Sequence, residues 1–408
     1  MPVWSRRLTN RTMTRLFRVL TALVLSSLAL LPGSTSRAAS TGASCSTWLR
    51  GWLMPGHDPQ RTSRSDAVGP AHPRLLFQRP STSIEAVGPD GAMVGSGQAG
   101  SQSLVVDLSP KGQLLWRYPF SGEQTVIEPN GTVVTVGFTT VPAGSADAAA
   151  VALSAQGKLL WKIQQFGLYK GAEPLVTERN VYFAPVIGPH DGSPSQKYIG
   201  LNLISSRGWV LRRLAPMFHP ALDQGNLIVD DSTTTLRAVD RRGHPVWKTK
   251  LQELDFDTLR PVVAADGTIF TGYRQQIVAY TSSGHLRWRV RKTDGALALA
   301  LRADGILLVA GRDRLDAIRT NGTRLWSTAI GYSSAQYPAA WPSLATDAAG
   351  KAYVGSGDGR VRVVSATGQV LATVSAGGYR DGSTPSLLLG PDGRLMVSGA
   401  DSTLRVYG

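Results

Sequence analysis

The stretch IVAYTSSGHLRWRVRK, Ile277 to Lys292, decides the fold. It reads as an alternating apolar strand, a turn ending at Gly284, and a second strand that carries Trp288. The pattern recurs along the chain. Glycines 112, 157, 208, 243, 284, 322 and 368 each close such a turn. Four residues beyond them stand Trp116, Trp161, Arg212, Trp247, Trp288, Trp326 and Ala372. Five of the ten tryptophans thus occupy one position of a repeat, and a fixed period of about 40 residues marks a repeat architecture.

A second landmark precedes each unit: Asp90-Gly91, Asn130-Gly131, Asn180, Gly225, Asp266-Gly267, Asp304-Gly305, Ala349-Gly350 and Asp392-Gly393. Asp-Gly and Asn-Gly favour two-residue hairpins, whose central residues both take positive φ. Each unit is therefore expected to run strand A, tight turn, strand B, loop, strand C, glycine turn, strand D. Repeated four-stranded antiparallel units predict an all-β propeller. Seven units span 86–119, 125–164, 173–215, 219–251, 260–292, 297–330 and 341–376. An eighth begins at Thr384 and reaches Gly408 after strand C, which leaves an open edge. Pro73–Arg79 aligns with Gly112–Tyr118, so residues 73–80 are expected to supply the missing strand and close an eight-bladed ring. The tryptophans are expected to fill the wedge where blades fan apart. Arg212 and Ala372 then mark looser junctions.

The first residues read differently. Five arginines precede the apolar run Val19–Leu31, and Ser36-Arg37-Ala38 resembles a cleavage site. Residues 1–38 are expected to be a signal peptide, with an uncleaved anchor as the alternative; 39–50 read as a small-residue linker and 51–408 as the propeller. Cys45 stands alone in the sequence, so there is no internal disulfide and no thiol metal site; it lies too far beyond the apolar run to suggest lipidation. The net charge is +15, of which six charges fall in residues 1–38. The remaining excess of nine is spread without a basic run, so no nucleic-acid partner is expected.

Several stretches resemble the pyrroloquinoline-quinone-like propeller repeat. They are Ala238–Trp247 (AVDRRGHPVW), AVALSAQGKLLW at 150–161 and YVGSGDGRVRVVSATGQV at 353–370. The segment Trp52–Thr62, with His57, Asp58 and Arg61, resembles the leader that precedes blade one in that family. The resemblance covers roughly 52–408 and implies two kinds of relative. Quinoprotein alcohol dehydrogenases hold quinone and calcium at the propeller centre and stack the quinone on a disulfide of neighbouring cysteines. Exported eight-bladed scaffolds, similar to the propeller lipoprotein of the outer-membrane β-barrel assembly machinery, carry no cofactor. With one cysteine, this chain is expected to follow the scaffolds: no cofactor, no metal and no catalysis, with quinone and calcium only under the alternative of a dehydrogenase. A carbohydrate-active propeller enzyme is a further alternative.

Strand alternation places the A–B and C–D turns on one face and the B–C loops and D–A links on the other. Tight glycine turns leave little room for a site, whereas long connections carry function. The B–C loops lengthen at Ser96–Ser103, Thr139–Ala148 and Gly188–Lys197. The D–A links end in x-Pro and are expected to ring the channel mouth, with His219, Arg260, Trp341, Asp257, Tyr379 and Arg380 as candidate ligand-binding residues. A protein or envelope glycan bound there by a monomer is the expected partner. Gly95-Ser-Gly97-Gln-Ala-Gly100 matches a dinucleotide fingerprint, but a strand follows it instead of a helix. Asp230-Asp231 lacks the further oxygens calcium requires. His244 and His285 are expected to be exposed on the tight-turn face.

Overall fold

In a computed structural model of the chain, the described residues are 51–139, 147–164, 174–177, 180–183, 186–187, 197–198, 201–214, 220–223, 225, 228–232, 235–240, 242–251, 259–273, 275–331, 343–377 and 385–408. The chain divides into two units, Met1–Ala43 and Ser44–Gly408, and every described residue belongs to the second. Residues 1–38, expected to be a signal peptide, and 39–50, expected to be a linker, lie outside the described residues. No helix occurs among the described residues, which form eight four-stranded antiparallel sheets and one short ribbon.

Each sheet runs in the order A-B-C-D. Sheet 1 is Thr82–Val87, Met93–Ala99, Gln102–Leu108 and Leu114–Pro119; sheet 2 is Ser121–Ile127, Val133–Thr139, Asp147–Leu153 and Leu159–Gln164. Sheet 3 is Leu175–Val176, Asn180–Phe183, Asn202–Ser205 and Val210–Arg213; sheet 4 is Ala221–Leu222, Ile228–Ser232, Thr235–Val239 and Pro245–Lys250. Sheet 5 is Val262–Val263, Ile269–Tyr273, Gln276–Tyr280 and Leu286–Arg291; sheet 6 is Ala298–Leu301, Leu307–Ala310, Arg314–Ile318 and Arg324–Ala329. Sheet 7 is Ser343–Thr346, Ala352–Ser356, Arg360–Val364 and Val370–Ser375. Sheet 8 takes Ser386–Leu389, Leu395–Ser398 and Leu404–Tyr407 from the C-terminal end and Leu75–Arg79 as its fourth strand.

The burial of each strand follows from its place in the stack. Strand B can read as an unbroken buried run, as at Leu307–Ala310 and Ala352–Ser356, because apolar sheets cover both of its faces. Strand D is outermost and alternates, as Leu286–Arg291 does: Trp288 and Val290 turn inward while Arg287, Arg289 and Arg291 face water.

Both kinds of tight turn share a geometry that differs from the two-residue hairpin. Gly91 N donates to Gly88 O and Gly88 N to Ala92 O; Gly112 N donates to Ser109 O and Ser109 N to Gln113 O. Only the glycine takes positive φ, 80° at Gly91 and 78° at Gly112, while Asp90 and Lys111 do not. This is a type I turn followed by a left-handed glycine, a three-residue connection with a bulge. The preceding Asp, Asn or Ser caps it: Asp90 Oδ1 accepts from Ala92 N at 3.1 Å and Ser109 Oγ from Gln113 N at 3.1 Å.

The glycine is also where neighbouring sheets meet. A Cβ on Gly157 would lie 2.6 Å from the Trp116 ring, and on Gly284 2.5 Å from the Trp247 ring. Each indole N–H then donates to the carbonyl two residues before that glycine: Trp116 to Ala155 (2.9 Å), Trp161 to Ser206 (2.9 Å), Trp247 to Ser282 (2.7 Å), Trp288 to Thr320 (2.6 Å) and Trp326 to Ala366 (3.0 Å). The expected wedge is thus also a hydrogen-bonded clamp.

The two exceptions have separate causes. Arg212 does not loosen its junction: its guanidinium donates to the Arg242 carbonyl in the next sheet, and Leu214 takes over the packing on Gly243. Ala372 stands before sheet 8, whose strands C and D come from opposite ends of the chain. No C–D turn exists there for an indole to clamp. Phe77 fills the tryptophan position of the borrowed strand, 2.5 Å from where a Cβ on Gly112 would lie. Sheets 8 and 1 are further joined by Thr82 N to Ser402 O and by Ile84 N to Ser398 Oγ, both at 2.8 Å.

Candidate functional site

Residues 52–70 precede the first sheet strand and bind to the inner strands in turn. Val87 N of sheet 1 donates to Trp52 O (2.8 Å), and Ile127 N of sheet 2 to Leu53 O (2.8 Å). Leu222 N of sheet 4 donates to Pro59 O (2.7 Å), Val263 N of sheet 5 to Gln60 O (2.9 Å), Leu301 N of sheet 6 to Thr62 O (2.8 Å) and Thr346 N of sheet 7 to Ser63 O (2.9 Å). Gly69 N reaches Asp347 Oδ2 at 3.0 Å, and Tyr353 Oη, buried at sheet 7, donates to Pro70 O at 3.2 Å. Every strand-A partner is the last or next-to-last residue before an A–B turn. The leader therefore covers the inner strands at the tight-turn end. To bend so sharply it holds His57, Arg61 and Ser63 at φ of 74°, 61° and 52°, a left-handed conformation uncommon for such residues.

Arg61 is the centre of this cover. It is 2% exposed, and its side chain rises past strand A to the x-Pro residues that begin sheets 3 and 4. Its Nε donates to Pro220 O at 3.0 Å, Nη2 to Pro174 O at 3.3 Å and Nη1 to Pro55 O. Asp58 stabilises the bend from below: Oδ1 accepts from Thr62 N at 3.0 Å, Oδ2 from the Thr62 hydroxyl, and His57 Nδ1 lies 3.4 Å away. Burial pushes the Asp58 carboxyl up, but the His57 contact and the Thr62 donors outweigh it and hold it below the usual carboxylate range. Trp52 packs edge-on to His57 with centroids 5.0 Å apart. The leader motif was legible as a resemblance. Its role as a floor beneath the D–A links was not, since its partners are mostly backbone groups.

Of the six candidate mouth residues, Arg260 is described: it is exposed, just before Pro261 at the start of sheet 5, and it has interaction partners. His219, Asp257, Trp341, Tyr379 and Arg380 lie outside the described residues. An acid that the sequence reading passed over stands on the inner strand of sheet 1. Glu85 occupies a bulge between Ile84 and Ala86, and bulges re-aim side chains. Burial pushes its carboxyl up; bonds from Thr125 and Ser96 oppose this, and neighbouring Glu123 adds to it. Among the described residues no three His, Cys, Asp or Glu side chains converge to hold a metal ion.

The loop face is unequal around the sheets. Ser96–Ser103 is no loop: Ser96 pairs with Val105, Gln98 with Ser103 and Ala99 with Gln102, because alternation continues to the Gly100 turn. Sheet 2 pairs out to Thr139 and Asp147, and sheet 3 carries the ribbon Val186–Ile187 with Lys197–Tyr198. Sheets 1 to 3 thus extend their B–C hairpins. In sheets 7 and 8 the B–C turns are short and internally ion-paired. Arg362 binds Asp358 and Arg405 binds Asp401, each at 2.6 Å, and these guanidinium groups lie over the left-handed Gly331 and Gly377 of the D–A links. Arg405 holds the Asp401 carboxyl below its usual range. A cavity of about 310 Å³ opens where sheet 8 meets the sheet 1 hairpin, lined by Arg79, Arg117, Gln98 and Leu114.

Asp230 and Asp231 belong to strand B of sheet 4, paired with Arg237 and Leu236. His244 and His285 are exposed.

Residues 232–404 match the family model described as outer membrane protein assembly factor BamB. No curated protein matches the chain. Among solved structures, BamB from Moraxella catarrhalis superposes with a TM-score of 0.59 at 16% identity, covering 82% of this chain and 99% of that one. The quinohemoprotein alcohol dehydrogenase ADHIIG from Pseudomonas putida HK5 superposes with a TM-score of 0.59 at 11% identity, covering 88% of this chain and 80% of that one. At these identities the likeness is one of fold.

Proposed function

We propose, from the premise that this chain is a β-propeller of pyrroloquinoline-quinone-like repeats, that it is an exported, non-catalytic, eight-bladed scaffold. Its loop face binds a protein or an envelope glycan. The observation that carries this reading is the inequality of the two ends. The leader covers the tight-turn end with a buried, hydrogen-bonded Arg61, while the B–C hairpins of sheets 1 to 3 project on the other side. Ring closure is supported by the pairing of Leu75–Arg79 with Leu404–Tyr407 and by the bonds from Thr82 and Ile84 to sheet 8. Export is supported by the basic and apolar character of residues 1–38. The matching family, over residues 232–404, is described as an outer membrane protein assembly factor.

The test is site-specific photo-crosslinking in the producing cell. A photoreactive residue at Gln98 on the sheet 1 hairpin is expected to trap a discrete envelope partner, and one at His285 on the opposite face is not. Equal trapping from both positions refutes the placement. Dye-linked alcohol oxidation by the purified protein supplied with quinone and calcium refutes the non-catalytic reading and favours a dehydrogenase.

A further inference from the structure

The outer rim is not uniform, and its asymmetry has a chemistry of its own. In sheets 8 and 1 to 3 the outer strand begins with paired apolar residues that stand in water: Leu75 and Leu76 (both 51% exposed), Leu114 and Leu115, Leu159 and Leu160, Val210 and Leu211. Sheets 4 to 7 show one large apolar residue each at this level, Val246, Leu286, Leu325 and Val370. Trp209, the first residue after the sheet 3 turn, is 70% exposed, the highest value among the large apolar residues described. It is not a clamp tryptophan and packs on no neighbouring sheet glycine.

Positive charge follows the same arc. The C–D turns of sheets 1 to 4 each carry an exposed cation, Lys111, Lys158, Arg207 and Arg242, whereas among those of sheets 5 to 7 the sheet 6 turn has Arg319 alone. Five residues past the turn glycine stand the exposed Arg117, Lys162, Arg213 and Lys248, and this row runs one sheet beyond the arc to Arg289 of sheet 5. None of the four turn cations pairs with a carboxylate among the described residues. Outside the arc, Arg287 pairs with Asp266 and Arg302 with Asp304; within it, Arg394 of sheet 8 pairs with Asp392. The acids of the arc are few. Asp240 is taken up by the Arg242 and His244 amides and by the His244 ring, and Asp90 caps its own turn.

We infer that this arc of the tight-turn rim, from sheet 8 through sheet 4, docks on an anionic phospholipid bilayer surface. Exposed leucines, an exposed tryptophan at a turn tip and free lysines and arginines at one level are the composition of an interfacial binding face. The net excess of cations matches an anionic surface, whose potential attracts each one near it. A disc held this way turns its loop face away from the bilayer.

The experiment uses the full chain bound to vesicles whose acyl chains are brominated, which quench tryptophan at the interface. The Trp209 signal is the difference between the parent and Trp209→Phe. On vesicles of phosphatidylglycerol and phosphatidylcholine in equal parts, this difference is expected to show quenching that high salt removes. On phosphatidylcholine alone it is expected to vanish. Lys158→Glu combined with Arg207→Glu is expected to weaken the Trp209-dependent signal at least about tenfold. All three positions are exposed, and circular dichroism checks that the variants fold. Vesicle-bound protein with no Trp209-dependent quenching overturns the inference, and so does equal quenching on both lipids. The arc would then belong to an acidic protein surface.

Discussion

Replacing Arg61 with methionine keeps most of the side-chain volume and removes all of its donors. The carbonyls of Pro220, Pro174 and Pro55 are left in a site where Arg61 is 2% exposed. Each orphaned buried acceptor costs roughly 1–3 kcal/mol, offset in part because the cation no longer has to be desolvated. Loss of one partner from a buried ionic network falls at about 3–5 kcal/mol, and we expect a value at the lower end because the acceptors are neutral. The assay is guanidinium unfolding combined with amide exchange. Leu222 N and Val263 N donate to Pro59 O and Gln60 O, the two residues before Arg61, at 2.7 and 2.9 Å. Their protection is expected to fall further than that of Ile330 N, which is bonded to Asp313 O away from the leader. An unchanged unfolding midpoint with full protection at Leu222 and Val263 would refute the view that Arg61 holds the floor.

Three further outcomes follow from the sheets themselves. Trp288→Ala removes the bond to Thr320 O and the packing on Gly322 and Phe270, and should cost about 2–4 kcal/mol by chemical unfolding; a loss below about 1 kcal/mol means the clamp is not energetic. Deleting residues 73–80 opens sheet 8 along Leu404–Tyr407 and should lower the thermal midpoint by several degrees at least, with an unmoved midpoint telling against closure. Asp107 is buried and close to Asp90, which together push its carboxyl up from 3.8 to about 7. Between those values the folded state keeps a proton that the unfolded chain has lost, so stability falls as pH rises through the window. Asp107→Asn should therefore gain stability progressively from about pH 4 and level off above about pH 7, checked by urea unfolding at pH 4 to 8, and a gain equal at all pH values would contradict the assignment.

What the sequence made legible was whatever each sheet must state for itself. The glycine and the tryptophan four residues later are such signals, because a left-handed turn admits glycine and the ring needs the space a Cβ would take. Phe77 could be aligned to that position, and it stands there. The leader was different: Arg61 reaches carbonyls 113 and 159 residues away, and a carbonyl has no residue type to reveal it. Arg212 does not announce a tight junction because its guanidinium bonds the carbonyl next to the turn glycine, Arg242 O, and the packing passes to Leu214. Ser96–Ser103 was taken for a loop because its serines and glycines hide an alternation that pairs as hairpin. Glu85 gave no warning, since a bulge depends on register and not on residue type. The mouth residues, Arg260 apart, fall outside the described residues.

The borrowed strand has a consequence in time. Leu75–Arg79 is made early, and its partner Leu404–Tyr407 is made after the strands of the other seven sheets. The leader waits as well, because the amides it binds run from Val87 to Thr346. A nascent chain can fold single sheets as they emerge, but it cannot finish the inner cover before Thr346 is made, or the last sheet before Leu404–Tyr407 is made. The fold thus delays its own completion.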